Sequence, residues 1–75
     1  MTDIEAEMDA SVWQVLVEPG QSVSKDDELI ILESMKMEIP VVAPITGVVA
    51  TLHVSAGDAV KRGQKLVTIQ SPDGS

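Results

Sequence analysis

The residues best placed to do chemistry in this 75-residue chain form one block, Glu33-Ser34-Met35-Lys36-Met37-Glu38. Its reactive group is the Lys36 amine. A lysine amine in water titrates near 10.4, so only about one molecule in a few thousand is free base at pH 7. The flanking residues offer no apolar pocket around the amine. Lys36 is therefore a poor Schiff-base catalyst on its own. It suits the role of acceptor: a modifying enzyme can supply the base and an activated acyl group, and needs only a protruding amine. The competing reading of Met35-Lys36-Met37 is packing plus a surface charge, and the block by itself does not separate the two.

Little else in the chain could react. There is no cysteine, hence no thiolate nucleophile, no disulfide and no Cys-based zinc site, a composition suited to a reducing cytoplasm. The single His53 sits in Leu52-His53-Val54, where a strand residue facing solvent or satisfied locally is expected. Trp13 reads as a core or partly buried anchor in preference to a ligand-stacking ring. Net charge is −7, and the asymmetry is strong: residues 1–40 hold ten acids against Lys25 and Lys36, net −8. Such a surface repels nucleic acid and favours a solvated monomer or a basic protein partner. Met1-Thr2-Asp3-Ile4-Glu5 lacks the features of a signal peptide, and no apolar run approaches the ~20 residues of a membrane helix. A soluble, cytoplasmic protein is the expectation.

The elements that must position Lys36 follow from an internal repeat. Sliding the chain by 37 positions without a gap sets Val12 on Val49, Val17 on Val54, Gly20 on Gly57 and Val23 on Val60. It also sets Leu29 on Leu66, Ile30 on Val67 and Leu32 on Ile69. Residues 12–17, 29–32, 48–54 and 66–69 are short β-branched or apolar runs. Glu18-Pro19-Gly20-Gln21 and Ser55-Ala56-Gly57-Asp58 are turns. Residues 3–10 alternate, with Ile4, Ala6, Met8 and Ala10 on one face, which predicts a further half-buried strand. No segment has a helical period. The expectation is an all-β flattened barrel or sandwich of two four-stranded antiparallel sheets with pseudo-twofold symmetry, a domain over 1–70 and a disordered tail over 71–75. Lys36 falls in the link between the halves, at a hairpin tip, and the symmetry sets the termini at the opposite end. The link has no Gly, Asn or Pro. A two-residue turn there would place Met35 and Lys36 at its centre with positive φ, a strain that clusters at functional sites.

With those residues in place the chain resembles the biotinyl/lipoyl attachment domains, most closely the stand-alone biotin carboxyl carrier-like attachment proteins of bacteria. Glu33-Ser34-Met35-Lys36-Met37-Glu38 is similar to the biotinylation motif Glu-Ala-Met-Lys-Met. Ala43-Pro44-Ile45-Thr46-Gly47-Val48-Val49 and Val54 to Val60 with Gly63 match the second half of the family pattern. The resemblance implies covalent biotin on Nζ of Lys36, attached by a biotin protein ligase. Glu33, Ser34, Met35, Met37 and Glu38 would serve as flanking recognition residues. It also implies a swinging arm that takes carboxyl from a biotin carboxylase to a carboxyltransferase, so that the chain is a carrier and not an enzyme. Ser34 stands where Ala is usual, Ala10 where Gly is, and Asp26 where Gly63 sits in the second half; Pro40 must lie where no ladder donor is required. A lipoyl carrier is the first alternative, though its motif usually reads Asp-Lys-Ala and methionine on both sides of Lys36 favours biotin. An unmodified interaction module that retains the fold is the second.

Overall fold

The computed structural model describes residues 1–71; of the tail expected over 71–75, residues 72–75 lie outside the described residues. Eight strands follow one another: β1 Thr2–Glu5, β2 Ala10–Val15, β3 Ser22–Val23, β4 Glu28–Ser34, β5 Met37–Val42, β6 Gly47–Leu52, β7 Ala59–Val60 and β8 Lys65–Gln70. They form two four-stranded antiparallel sheets, β1-β8-β6-β3 and β5-β4-β2-β7. A shift of 37 residues carries β2 onto β6, β3 onto β7, β4 onto β8 and β1 onto the last four residues of β5. The same exchange turns one sheet order into the other, so the repeat in the sequence is a structural twofold.

The symmetry reaches individual hydrogen bonds. Gly20 N–H donates to Val49 O (2.7 Å) and Gly57 N–H to Val12 O (2.8 Å). Ala43 N–H donates to Asp27 O and Ala6 N–H to Gln64 O, each at 2.9 Å. The core is built the same way. Val12 and Val49, Val23 and Val60, Leu29 and Leu66, Ile30 and Val67, and Leu32 and Ile69 are all buried, as are Ala6 and Ala43. Each of the larger side chains contributes about 1.5–3 kcal/mol of hydrophobic stabilisation. Asp26 takes φ 74 where its mate Gly63 takes φ 86, so the carboxylate residue does accept the left-handed turn. Gly47 is required for another reason: a Cβ there would strike the Gln70 carbonyl oxygen and come within 2.7 Å of Ile69 Cγ2.

Three expectations are corrected. The first strand ends at Glu5 and does not run on to Ala10: the ladder slips between Ile4 and Glu5, and Ala6 turns inward to bond residues 63 and 64. Met8, expected on the buried face, is therefore exposed in the crossing from one sheet to the other. The strands expected at 12–17 and 48–54 lie at 10–15 and 47–52, and each carries an irregularity in its pairing, between Val12 and Gln14 and between Val49 and Thr51. Trp13 is the unpaired residue at the first irregularity and is 47% exposed, so of the two expected placements the core one is corrected and the partly buried one stands. Ala10 has no positive φ and simply pairs with Val60. Pro40 stands in β5, an edge strand, opposite Ile31, which leaves the missing donor without consequence.

The lysine hairpin and its neighbours

β4 and β5 pair in register from Ile30 to the tip, where Leu32 faces Ile39, Glu33 faces Glu38 and Ser34 faces Met37. Met35 and Lys36 are left as the two turn residues, with φ 53 and φ 63. Positive φ at both central positions is the signature of a type I′ turn, whose twist matches the flanking strands. Asn-Gly adopts it readily, whereas a β-carbon in the left-handed region costs roughly 1–2 kcal/mol per residue. The register adds a second cost, since Glu33 and Glu38 oppose each other across the ladder as like charges. The core ladder beneath holds the turn in this form.

The side chains at the tip face water. Met35 is 91% and Met37 64% exposed, and Lys36, Glu33 and Glu38 are exposed as well. That removes the packing explanation for the methionines. Ser34 is half-buried, and its hydroxyl donates to Asp9 O at 3.3 Å. The substitution for the usual Ala thus ties the turn's base to the segment joining β1 and β2. Asp9 in turn accepts from Arg62 N–H through Oδ1 at 2.9 Å. The motif gave no sign that Asp9 meets Ser34; the bond from Arg62 is repeated by the twofold, since Thr46, the mate of Asp9, accepts from Lys25 N–H in the same way. β1 therefore runs toward the tip, and Thr2, paired with Ile69, lies at the other end. A groove of about 560 Å³ separates the edges of β1 and β5, bordered by Ile4, Met8, Ile39 and Val41, and it includes none of residues 33–38.

A second polar cluster sits on the outer face of the β1-β8-β6 sheet. Thr68 Oγ1 donates to Asp3 Oδ1 at 2.7 Å, and Lys65 Nζ lies 3.3 Å from Asp3 Oδ2. The Thr68 hydrogen is thus committed to Asp3, so its oxygen accepts from His53 Nε2, 2.9 Å away, which fixes that tautomer. The Thr68 hydroxyl, then the Lys65 ammonium, hold the Asp3 carboxyl below its ordinary value of 3.8. His53 is satisfied locally, as its setting in the sequence suggested, and serves sheet structure.

The structure thus sets an exposed lysine on the two-residue turn between β4 and β5, in a domain of two sheets related by a twofold. The chain belongs to the biotin/lipoyl attachment family: the family model described as "Biotin-requiring enzyme" matches residues 1–69. It is 46% identical over 67 residues to a protein called "Biotinylated protein TB7.3 homolog" from Mycobacterium leprae, covering 89% of this chain and 94% of that one. It is 45% identical over 64 residues to a biotin carboxyl carrier protein of Streptococcus mutans, spanning 85% of this chain but 49% of the relative. Among solved structures, a single-chain, multi-domain long-chain acyl-CoA carboxylase superposes with TM-score 0.89 at 25% identity, over 96% of this chain and 7% of that one. The lipoyl domain of the 2-oxoglutarate dehydrogenase complex from Azotobacter vinelandii superposes with TM-score 0.81 at 28% identity, covering 93% and 96%. The fold is thus the flattened all-β sandwich of that family, and domains like this one occur inside carboxylases.

Proposed function

We propose that this chain is a biotin carrier whose Lys36 Nζ forms an amide with the biotin carboxyl group. The observation that carries the reading is the turn: Lys36 sits at φ 63 on an exposed apex, flanked by methionines that no packing role explains. A biotin protein ligase forms biotinyl-adenylate from biotin and ATP, with pyrophosphate as the leaving group. Attack by the free amine on its carbonyl carbon makes the amide and releases AMP. Glu33, Met35, Met37 and Glu38 are the side chains such an enzyme meets around the amine, and Ser34 holds the turn in place. The biotin ring then takes carboxyl from a biotin carboxylase and yields it to a carboxyltransferase, so the chemistry belongs to partners and the chain supplies reach. Tethering raises the effective concentration of the ring at successive active sites. The carrier works as a cytoplasmic monomer, and its acidic surface favours basic partners over self-association.

The likeness to a lipoyl domain favours a second reading, lipoate on the same amine. Methionine on both sides of Lys36 and the naming of the sequence relatives support biotin over it. The test is co-expression with a biotin protein ligase and supplied biotin, followed by intact mass. One biotinyl increment, lost in Lys36→Arg, is the expected result. A lipoyl increment moves the assignment to the second reading, and an unmodified chain under ample ligase and biotin rejects both.

A further inference from the structure

The internal twofold provides its own control for what each outer sheet face does. On the β1-β8-β6 face the positions are Asp3, Glu5, Ala50, His53 and Thr68, and Asp3, His53 and Thr68 are joined by hydrogen bonds. Their mates on the β5-β4-β2 face, 37 residues away in sequence, are Pro40, Val42, Trp13, Leu16 and Ile31. Four polar residues have become apolar, and a small one has become the only tryptophan. Trp13 is 47%, Leu16 43% and Val42 40% exposed, and Pro40 is exposed too. Ile31 faces outward between the buried Ile30 and Leu32 and pairs with Pro40 on one side and Gln14 on the other. Leu16 and Ile31 are the twofold mates of His53 and Thr68, which are joined by a hydrogen bond on the other face. Scattered exposed apolar residues need no explanation, but a contiguous set on one face of a small domain marks an interaction surface.

The charges around this patch select its occupant. β2, β4 and β5 contain no Lys or Arg, while Glu28, Glu33 and Glu38 stand on the strands that carry it. A second copy of the chain would bring like charge against like charge. A partner with an apolar centre and a Lys/Arg rim would complement it. The patch begins two ladder rows below Glu33 and Glu38, and Pro40 lies four residues from Lys36, roughly 13 Å along the strand. An enzyme that takes the Lys36 amine itself into its active site stands within one lysine side chain of the turn and must overlie the adjoining face. An enzyme that meets only the far end of a biotin arm stands further off.

We infer that the outer face of the β5-β4-β2 sheet, centred on Trp13, Leu16, Ile31, Pro40 and Val42, docks the enzyme that acylates Lys36. This rests on the reading of Lys36 as the biotin acceptor. The test is steady-state biotinylation by a purified biotin protein ligase, with ATP and biotin saturating and the carrier varied. The Leu16→Thr/Val42→Thr variant changes two exposed positions and keeps β-compatible side chains. Its KM for the carrier is expected to rise five- to twentyfold with kcat within twofold, while Thr51→Ala on the other sheet leaves both unchanged. Glu28→Gln is expected to raise KM in low salt and to lose that effect in high salt. An unchanged KM in the double variant, with its Tm near wild type, overturns the inference. So does a concentration-dependent wild-type dimer in sedimentation that the double variant abolishes, which would assign the face to a second copy. A wild-type chain that no ligase modifies overturns the acceptor reading and this inference together, whereas normal modification of every variant overturns this inference alone.

Discussion

Met35→Asn combined with Lys36→Gly should make the domain more stable while abolishing its proposed use. Both turn residues hold positive φ, 53 and 63. At roughly 1–2 kcal/mol for each left-handed residue bearing a β-carbon, the turn stores about 2–4 kcal/mol. Glycine at the second position removes its share of that strain but adds about 0.5–1 kcal/mol of chain entropy to be lost on folding. Asparagine at the first relieves part of the remainder. No packing is forfeited, because Met35 is 91% exposed and Lys36 is exposed. The net expectation is a gain of about 1 kcal/mol, which for a domain of this size raises Tm by roughly 4–8 °C. Urea denaturation at equilibrium measures the free energy, and the slope should be unchanged because the buried surface is. An unchanged or lowered midpoint would show that the turn is not strained and that residues 35 and 36 contribute to stability.

The other expectations follow from particular contacts. Gly47→Ala drives a Cβ into Gln70 O and Ile69 Cγ2 and should cost about 1–3 kcal/mol in the same denaturation assay. Asp3 is held below its ordinary 3.8 by Thr68 and Lys65. Its contribution to stability is therefore complete above that value and is lost as pH falls through the folded-state pKa. Asp3→Asn should lower Tm at pH 7, and the difference from wild type should close in acid; a difference independent of pH contradicts the linkage. Met35→Ala or Met37→Ala should change stability by less than about 0.5 kcal/mol, since both side chains are largely in water, yet slow modification of Lys36. Unfolding of either variant would return the methionines to the core.

The architecture is legible in the sequence because the repeat is ungapped. Val12 on Val49 and Leu29 on Leu66 fix both the strand faces and the twofold, and Lys36 then falls at the tip with no further information. The turn geometry is not legible in the same way: positive φ at Met35 and Lys36 follows only once the link is known to be two residues long, and the ladder, not the sequence, fixes that length. What the pattern hides is register. The alternation at residues 3–10 continues by composition past Glu5, although the ladder slips there and the chain leaves the sheet, so Met8 is exposed where a strand would bury it. Trp13 shows the same limit: a large aromatic within a buried run reads as core or partly buried, and only the irregularity at that residue, which turns it outward, decides between them. The bond from Ser34 to Asp9 joins residues 25 apart and has no local signal, which is why a small-for-small change in the motif acquires a structural role only in three dimensions.

The chain has four lysines, Lys25, Lys36, Lys61 and Lys65, all on the surface. Peptide mapping by fragmentation mass spectrometry, after limited exposure to a biotin protein ligase, biotin and ATP, places any added mass on one of them. The whole biotinyl increment is expected on Lys36. An increment on Lys25, Lys61 or Lys65, or one divided among them, would contradict it.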